Sequence, residues 1–304
     1  MTRALVVGYG SIGVRHAECL VKLGCEVGIV TSRADATGTV FRRLPEAVER
    51  LAPDYCVIAT ATARHAEALQ ELQSTGFVGK VLVEKPLYER TLSRPLAFAR
   101  TVVGYNLRLH PLVRWFRDLC QSERIISVHG YVGQFLPDWR LARDYRECSS
   151  ARQTEGGGVL RDLSHELDYL NWILGGWMSV AAVQGRFGPL EIETDDTCAV
   201  LFQFKHCPAV TLQMNYLDRA SRRELIVNTN QGTVVIDLVN GFWQRNREPK
   251  RELAIARSET YLAMHRAVLE NRWSELCSAE EGMEIVRLIE AMEQSSRERK
   301  WITR

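Results

Sequence analysis

Three groups of residues carry chemistry by their types and spacing. Gly8-Tyr9-Gly10-Ser11-Ile12-Gly13 follows an apolar run, Ala4 to Val7, and opens a helical pattern that reaches Leu23 before Gly24. A second apolar run, Val27 to Val30, comes next, so G-x-G-x-x-G stands between strand and helix in a βαβ unit. There Gly8 permits the tight turn, Gly10 lets the backbone approach a pyrophosphate, and Gly13 lets the helix pack closely on the strand. The helix N-terminus at Ser11 and Ile12 offers N–H donors and a positive dipole end to the phosphates. The second group is the charged pair Glu84-Lys85, which ends the apolar run from Lys80 to Val83 and precedes Pro86. The carboxyl end of a parallel strand lies in the crevice where such sheets bind ligands. The third is Asp162 with His165. A carboxylate three residues from a histidine can orient the imidazole and support its charged form, which is acid–base chemistry.

The residues closing the second strand select the cofactor. An NAD site places Asp or Glu about 20 residues beyond the first turn, to hold the ribose 2′-hydroxyl. Here those places are Thr31, Ser32 and Arg33, with no carboxylate before Asp35. A hydroxyl and a guanidinium suit a 2′-phosphate. NADP is therefore the expected cofactor, with NAD second; a solvated loop with an incidental arginine is the plainer alternative.

The elements that must position these groups alternate through the first third of the chain. Pro45 opens a short helix, Tyr55 to Thr60 is a buried strand, and Ala61-Thr62-Ala63-Arg64-His65 leads into a helix that Gly76 stops. Lys80 to Val83 and Thr101 to Tyr105 are further strands, and Asn106, Arg108, His110 and Pro111 follow the last. This predicts an α/β chain with a doubly wound Rossmann domain over 1–104. Beyond it, strand patterns at 125–135, 180–187, 197–204, 209–217, 224–228 and 233–238, with hairpin turns at 205–208 and 230–232, predict an α+β domain over 105–304 with a largely antiparallel open sheet. A helical pattern broken at 271–278 closes the chain from 259 to 298. With no linker at the crossover near Gly104, a substrate is expected in the cleft between domains.

Within the second domain, Leu160, Leu163, Leu167, Leu170 and Leu174 recur at three and four, one apolar helix stripe. Asp162, His165, Glu166 and Tyr169 fall on roughly the opposite side, with Asp168 between; a solvated face is the bland reading of that cluster. Ahead of it, Arg140, Arg143, Arg146 and Arg152 crowd a stretch without periodicity, beside Trp139, with Arg108 and Arg161 in neighbouring positions. Guanidinium forks suit carboxylate and phosphate, and an indole can stack on a base or a sugar face. An anionic substrate such as a nucleotide-linked sugar is expected; the alternative pairs these arginines with Asp138, Asp144, Glu147 and Glu155.

With the glycine turn, Glu84-Lys85-Pro86 and Gly104-Tyr105-Asn106-x-Arg108-x-His110-Pro111 in one chain, the sequence resembles the Gfo/Idh/MocA oxidoreductases over essentially its whole length. Gln134 to Arg140, Asp144-Tyr145-Arg146 and Gly156-Gly157-Gly158 make it most similar to members from cell-surface polysaccharide and nonulosonic acid biosynthesis. The resemblance implies that Lys85 lies beside nicotinamide and substrate. It also implies that Ala59, Thr60 and His65 flank the cofactor, with Ala61, Thr62 and Glu84 beside them. Asn106, Arg108, Trp139, Arg140 and Arg146 are the candidate substrate contacts. Asp162 and His165 inherit the catalytic carboxylate and base, although the family spaces them four apart and this chain three, which rotates the imidazole. His165 would then exchange the proton with the substrate oxygen while Lys85 polarises that oxygen, in hydride transfer between nicotinamide and a sugar-like substrate. Imine or tetrapyrrole reduction, and a non-catalytic NADP-binding regulator, are the alternatives.

Bulk properties narrow the classes. The 304 residues are 46% hydrophobic and 25% charged, which is ordinary globular composition. A net charge of +2 argues against a nucleic-acid surface, and no apolar run reaches the ~18–20 residues of a membrane span. A core strand begins within four residues of Met1, so no signal peptide is expected, and the eight scattered cysteines fit reduced thiols in a cytoplasmic protein. No metal is implied, since Asp162 and His165 make too few ligands. An exposed sheet would need covering, so a homodimer or homotetramer is expected.

Overall fold

The computed structural model of the protein describes residues 1–93, 98, 100–140, 144–253, 255–256 and 258–304, the Arg140 side chain excepted. It divides into two compact units: Met1–Leu109 with Ala256–Val286, and His110–Ile255 with Arg287–Arg304.

In the first unit the apolar runs become six parallel strands. These are β1 (Arg3–Val7), β2 (Glu26–Val30), β3 (Thr39–Phe41), β4 (Tyr55–Ile58), β5 (Lys80–Val83) and β6 (Thr101–Val103). Their spatial order is β6-β5-β4-β1-β2-β3, with a short antiparallel strand, Cys277–Ser278, added beside β6. The order reverses between β1 and β4, so the end of β1 opens on the crevice where doubly wound sheets bind ligands. Helices α1 (Ser11–Lys22) and α2 (Leu44–Leu51) pack on β1 and β2, and α3 (His65–Ser74) packs on β4. All four residues of β4 are buried, as a central strand covered on both faces requires.

The first unit also contains a late segment of the chain. The Glu259–Leu269 helix packs on α1, and its Met264, Ala267 and Val268 join Ala4, Val6, Leu20 and Val57 in one core. The sequence reading placed a single crossover at 104/105. The compact first unit instead runs to Leu109 and takes in Ala256–Val286. Helical periodicity locates an apolar stripe without naming the surface it will cover.

The second unit is built on a nine-stranded sheet. Its strands are β7 (Ile125–Gly133), β8 (Trp177–Gly185), β9 (Thr197–Phe204), β10 (Cys207–Asn215), β11 (Arg222–Thr229), β12 (Gly232–Asp237), β13 (Phe242–Arg245) and β14 (Arg251–Glu252). They run in the order β14-β13-β12-β11-β7-β10-β9-β8, and Ile302–Thr303 pairs beyond β8. Among the described residues, the β7–β10 pair is the one parallel pair of this sheet. Strict alternation on β9 sends Cys198, Val200, Phe202 and Phe204 inward and leaves Leu201 half exposed. Helices α4 (Pro111–Ser122), α5 (Val159–Asp162) and α6 (His165–Ile173) belong to this unit.

One carboxylate ties the short α5 to the sheet region. The Asp195 carbonyl accepts from the Val159 N–H at 3.2 Å, and its Oδ2 accepts from the Leu160 N–H at 3.3 Å, so it caps the helix that ends on Asp162. Burial pushes the Asp195 carboxyl up to about 6, against the hydrogen bond from Leu160. The folded state thus holds this proton more tightly than the unfolded chain. The contribution is complete below the ordinary value of 3.8 and is lost as pH rises through about 6. Asp195→Asn should escape that loss. Measured by urea unfolding, the variant should gain about 3 kcal/mol on the native protein between acid and neutral pH. A constant gap between the two would mean that Asp195 titrates normally.

Candidate functional site

At the end of β1 the chain turns through Gly8 at φ +95°, where a Cβ would stand 2.6 Å from the Ala59 carbonyl oxygen. A Cβ on Gly13 would stand 2.0 Å from the Gly8 carbonyl oxygen, so α1 rests directly on the turn. Gly10 differs: it caps α1, and a Cβ there would meet nothing within 4 Å. That open side, above helical N–H groups at Ser11, Ile12 and Gly13, is the shape a pyrophosphate needs. The first turn of α1 carries no acidic residue to compete with an anion. Across the reversal point, the Thr60 hydroxyl is buried and has no hydrogen-bond partner among the described residues. An orphaned donor beside an open phosphate cradle fits a dinucleotide.

The loop after β2 is more self-contained than its sequence suggests. Thr31 is buried, and its hydroxyl accepts from the Arg33 N–H at 3.1 Å, while Ser32 is exposed. The Arg33 guanidinium closes on the Asp35 carboxylate through Nε and NH2 and donates from NH1 to the Tyr9 carbonyl at 3.1 Å. Arg42 pins the loop by donating to the carbonyls of Thr31 and Arg33. So Arg33 does reach the glycine turn, but with a carboxylate already in its fork.

Ala61 precedes a short 3-10 turn, Thr62–Arg64, that delivers His65 to the start of α3. The His65 ring is buried, with the Thr60 carbonyl on one side and those of Pro86 and Leu87 on the other. Burial lowers its pKa despite Glu84 and these carbonyls. His65 therefore joins the loop after β4 to the loop after β5. Lys85 is half-buried at the end of β5, and its N–H donates to Glu84 Oε2 at 3.2 Å. The Glu84 side chain turns inward and Oε1 meets His16 Nε2 at 2.9 Å.

Asn106 and Arg108 lie in a 3-10 turn, Asn106–Leu109, and both are buried. Asn106 donates to the Thr260 hydroxyl at 2.6 Å, while its Oδ1 is unpartnered among the described residues. Arg108 pairs with Glu281 at 2.9 Å and is 3% exposed, which makes it an internal strut.

In the second unit the structure interrupts the expected helix between Asp162 and His165. The Ser164 hydroxyl donates to the Arg161 carbonyl at 2.9 Å, competing with the backbone, and the chain turns at Leu163 and Ser164 before α6 begins. Asp162 accepts from the Tyr216 hydroxyl at 2.6 Å. Tyr216 is fully buried beyond β10 and meets Trp139 edge-to-face at 5.3 Å. His165 is half-buried at the first position of α6. The polar face beyond it is covered by protein, not water. Glu166, Asp168 and Tyr169 are each 1% exposed, and Glu166 pairs with Arg223 of β11 at 2.8 Å. His110 caps α4, its Nδ1 accepting from the Leu112 N–H, and burial with nearby Arg223 lowers its pKa to about 4.

The arginine-rich stretch folds into successive 3-10 turns and spends its described guanidiniums internally. Arg146 is clamped by Asp144 and by Glu191 at 2.6 Å, Arg152 pairs with Glu155, and Arg161 with Glu293. The Arg140 side chain and Arg143 lie outside the described residues. Tyr216, Arg223 and Asp195 are the neighbours that sequence reasoning missed. Their only signal was a polar residue at an inward strand position or beside a turn.

The three glycines separate fold from binding. Gly8→Ala and Gly13→Ala force Cβ atoms into backbone and should lower stability. Gly10→Ala should leave the melting temperature unchanged while weakening nicotinamide dinucleotide binding by about tenfold or more, because the methyl occupies the phosphate's side of the turn. Calorimetric titration checks it, and equal affinity in the Gly10 variant would remove the cradle from the binding account.

Comparison with known proteins bears on the whole arrangement. A family model described as the oxidoreductase family, C-terminal alpha/beta domain, of the Gfo/Idh/MocA group, matches residues 123–303. A search of curated proteins returns no significant match. Among solved structures, levoglucosan dehydrogenase in complex with NADH and levoglucosan is 16% identical with a TM-score of 0.83, covering 99% of each chain. GenD2 from gentamicin A biosynthesis, in complex with NAD, is 20% identical with a TM-score of 0.81, covering 100% of this chain and 96% of its own. The WlbA dehydrogenase from Bordetella pertussis, in complex with NADH and UDP-GlcNAcA, is 19% identical with a TM-score of 0.79, covering 100% and 97%. At these identities the likeness establishes the shared fold, while the family model spans more than half of the sequence. The chain belongs to the Gfo/Idh/MocA oxidoreductase family.

Proposed function

We propose that this oxidoreductase interconverts a carbinol and a carbonyl carbon of a sugar-like substrate, using NADP in preference to NAD. The observation that carries the reading is the open Gly10 cradle, with a buried Thr60 hydroxyl after β4 that has no partner among the described residues, in a chain of an oxidoreductase family. A bound nicotinamide supplies or accepts the hydride. The chain's own groups manage the proton. His165 exchanges it with the substrate oxygen, and Asp162, held by Tyr216, supports the charged imidazole. Lys85 stabilises negative charge developing on that oxygen. Sugar dehydrogenases of the same fold, levoglucosan dehydrogenase and WlbA among them, support the substrate class.

His165→Ala should lower turnover ~10²–10⁴-fold while leaving cofactor affinity nearly unchanged, the share of acid–base catalysis. Lys85→Ala should impair both turnover and substrate binding. A panel of levoglucosan, L-sorbose and UDP-GlcNAcA, followed by nicotinamide absorbance, is the assay. A His165 variant at near-native rate would place the base elsewhere.

Cofactor choice turns on Arg33. No carboxylate stands at Thr31 or Ser32, and Arg33 reaches the Tyr9 carbonyl within the glycine turn, which supports a 2′-phosphate. Asp35 occupies its fork, and the solved relatives named above carry NAD or NADH, which weighs the other way. NADPH should bind more tightly than NADH. Asp35→Asn should widen the gap by freeing the guanidinium, and Arg33→Ala should close it. Calorimetry giving NADH the tighter constant in the native protein overturns the preference.

An anionic substrate was expected from the arginine-rich stretch. With Arg108, Arg146, Arg152 and Arg161 each committed to a carboxylate, that expectation keeps only Arg140 and Arg143 of its set. Arg146→Ala should accordingly change KM by less than about twofold, the signature of a residue outside uniform substrate binding. A large rise in KM that grows with ionic strength would restore Arg146 as an anion contact.

Self-association is part of the same reading. The outer face of the nine-stranded sheet exposes Ile126, Met178, Val183, Leu201 and Ile226, apolar side chains suited to a second copy of the chain. Light scattering should give at least a dimer, and a monomer would refute this.

A further inference from the structure

Behind the strand end that carries Lys85, four buried side chains form one hydrogen-bonded line. Glu84 Oε1 meets His16 Nε2 at 2.9 Å, His16 Nδ1 meets His265 Nε2 at 2.8 Å, and His265 Nδ1 meets the Tyr55 hydroxyl at 3.0 Å. The line gathers the end of β5, α1, the Glu259–Leu269 helix and β4, all in the first unit. Glu84 is 7% exposed and the other three are fully buried. Tyr261 packs edge-on against His16 at 5.5 Å. The proton chemistry proposed above uses none of these four.

Where the protons sit follows from which atoms can accept. Burial raises the Tyr55 phenol well above its ordinary value, so it stays protonated, and His265 Nδ1 is its partner among the described residues. Burial holds the His265 pKa well below the usual value, so its ring is neutral. With Nδ1 accepting from Tyr55, the single ring proton lies on Nε2 and donates to His16 Nδ1. His16 then donates from Nε2 to Glu84. Burial favours the neutral Glu84 acid, but the His16 hydrogen bond and nearby positive charge, Lys85 included, hold its carboxyl below the usual range. The opposite polarity would leave a buried Tyr55 O–H with nothing to donate to, which is costly in a dry interior.

We propose that Tyr55, His265 and His16 are positioning residues for Lys85, a one-way series of donors that fixes the Glu84 carboxylate on the Lys85 backbone N–H. The proposal rests on the reading of Lys85 as a group acting on substrate. No proton has to travel along the line. Its effect is to give Glu84 one orientation, with Oε1 taken by His16 and Oε2 left for the Lys85 amide.

The test uses the full chain with ¹⁵N-labelled histidine. His265 should appear as the Nε2–H tautomer at neutral pH, and the Lys85 amide should exchange slowly with solvent. Tyr55→Phe removes one hydroxyl and His265→Leu breaks the line. Each should speed Lys85 amide exchange by about tenfold, the effect of one lost buried hydrogen bond. Turnover in the sugar panel should fall with it while NADPH affinity holds. His265→Gln should restore both, since its carbonyl accepts from Tyr55 and its NH2 donates to His16. Unchanged exchange in Tyr55→Phe and His265→Leu overturns the proposal, as does a Nδ1–H tautomer at His265. Native turnover in Lys85→Ala would instead overturn the catalytic reading of Lys85, and the exchange rates would still decide whether the line orders its backbone.

Discussion

The contact of Gly13 with the Gly8 carbonyl is the constraint on which the first unit depends. It allows α1 to sit directly on the end of β1, at the point where the sheet order reverses. Because the helix starts there, its free N–H groups face the crevice, and His16 is carried inward to meet Glu84. The phosphate cradle and the buried line behind Lys85 therefore share one cause: the packing of a helix on a turn whose contact points, Gly8 and Gly13, have no side chains. A single methyl group at either glycine would disturb both.

Much of the first unit was legible in the sequence because parallel strands buried on both faces are near-continuous apolar runs, and glycines punctuate them. The antiparallel strands of the second unit were legible by alternation, and Thr197–Phe204 matches its expected bounds. Long-range partnership was not legible. Periodicity set Asp162 and His165 on one helix face, but it could not see that Ser164 would bond to the Arg161 carbonyl and break the helix between them. It likewise read Glu166 and Tyr169 as candidates for a solvated face, when Arg223, more than fifty positions later, buries Glu166 in an ion pair.

The arginines teach the same lesson from the surface. A fork that can grip a phosphate can equally grip a neighbouring carboxylate, and in this chain Asp144, Glu155, Glu191 and Glu293 lie close enough to do so. Arg33 repeats the pattern with Asp35 beside the cofactor turn. Composition counts the guanidiniums; only the fold shows which are already spoken for. The buried polar atoms without a partner among the described residues, Thr60 Oγ1 and Asn106 Oδ1 among them, are quieter in sequence and more informative in structure.

The return of Ala256–Val286 to the first unit bears on how the protein is made. An N-terminal domain that emerges first from the ribosome can ordinarily fold before the rest of the chain exists. Here the core that holds Ala4, Val6 and Leu20 is closed by Met264, Ala267 and Val268, and the Tyr55 hydroxyl waits for His265. That side of the nascent Rossmann sheet must therefore stay open until Met264, Ala267 and Val268 have been synthesised. Vectorial synthesis thus makes completion of the first unit contingent on a segment that follows His110–Ile255 of the second.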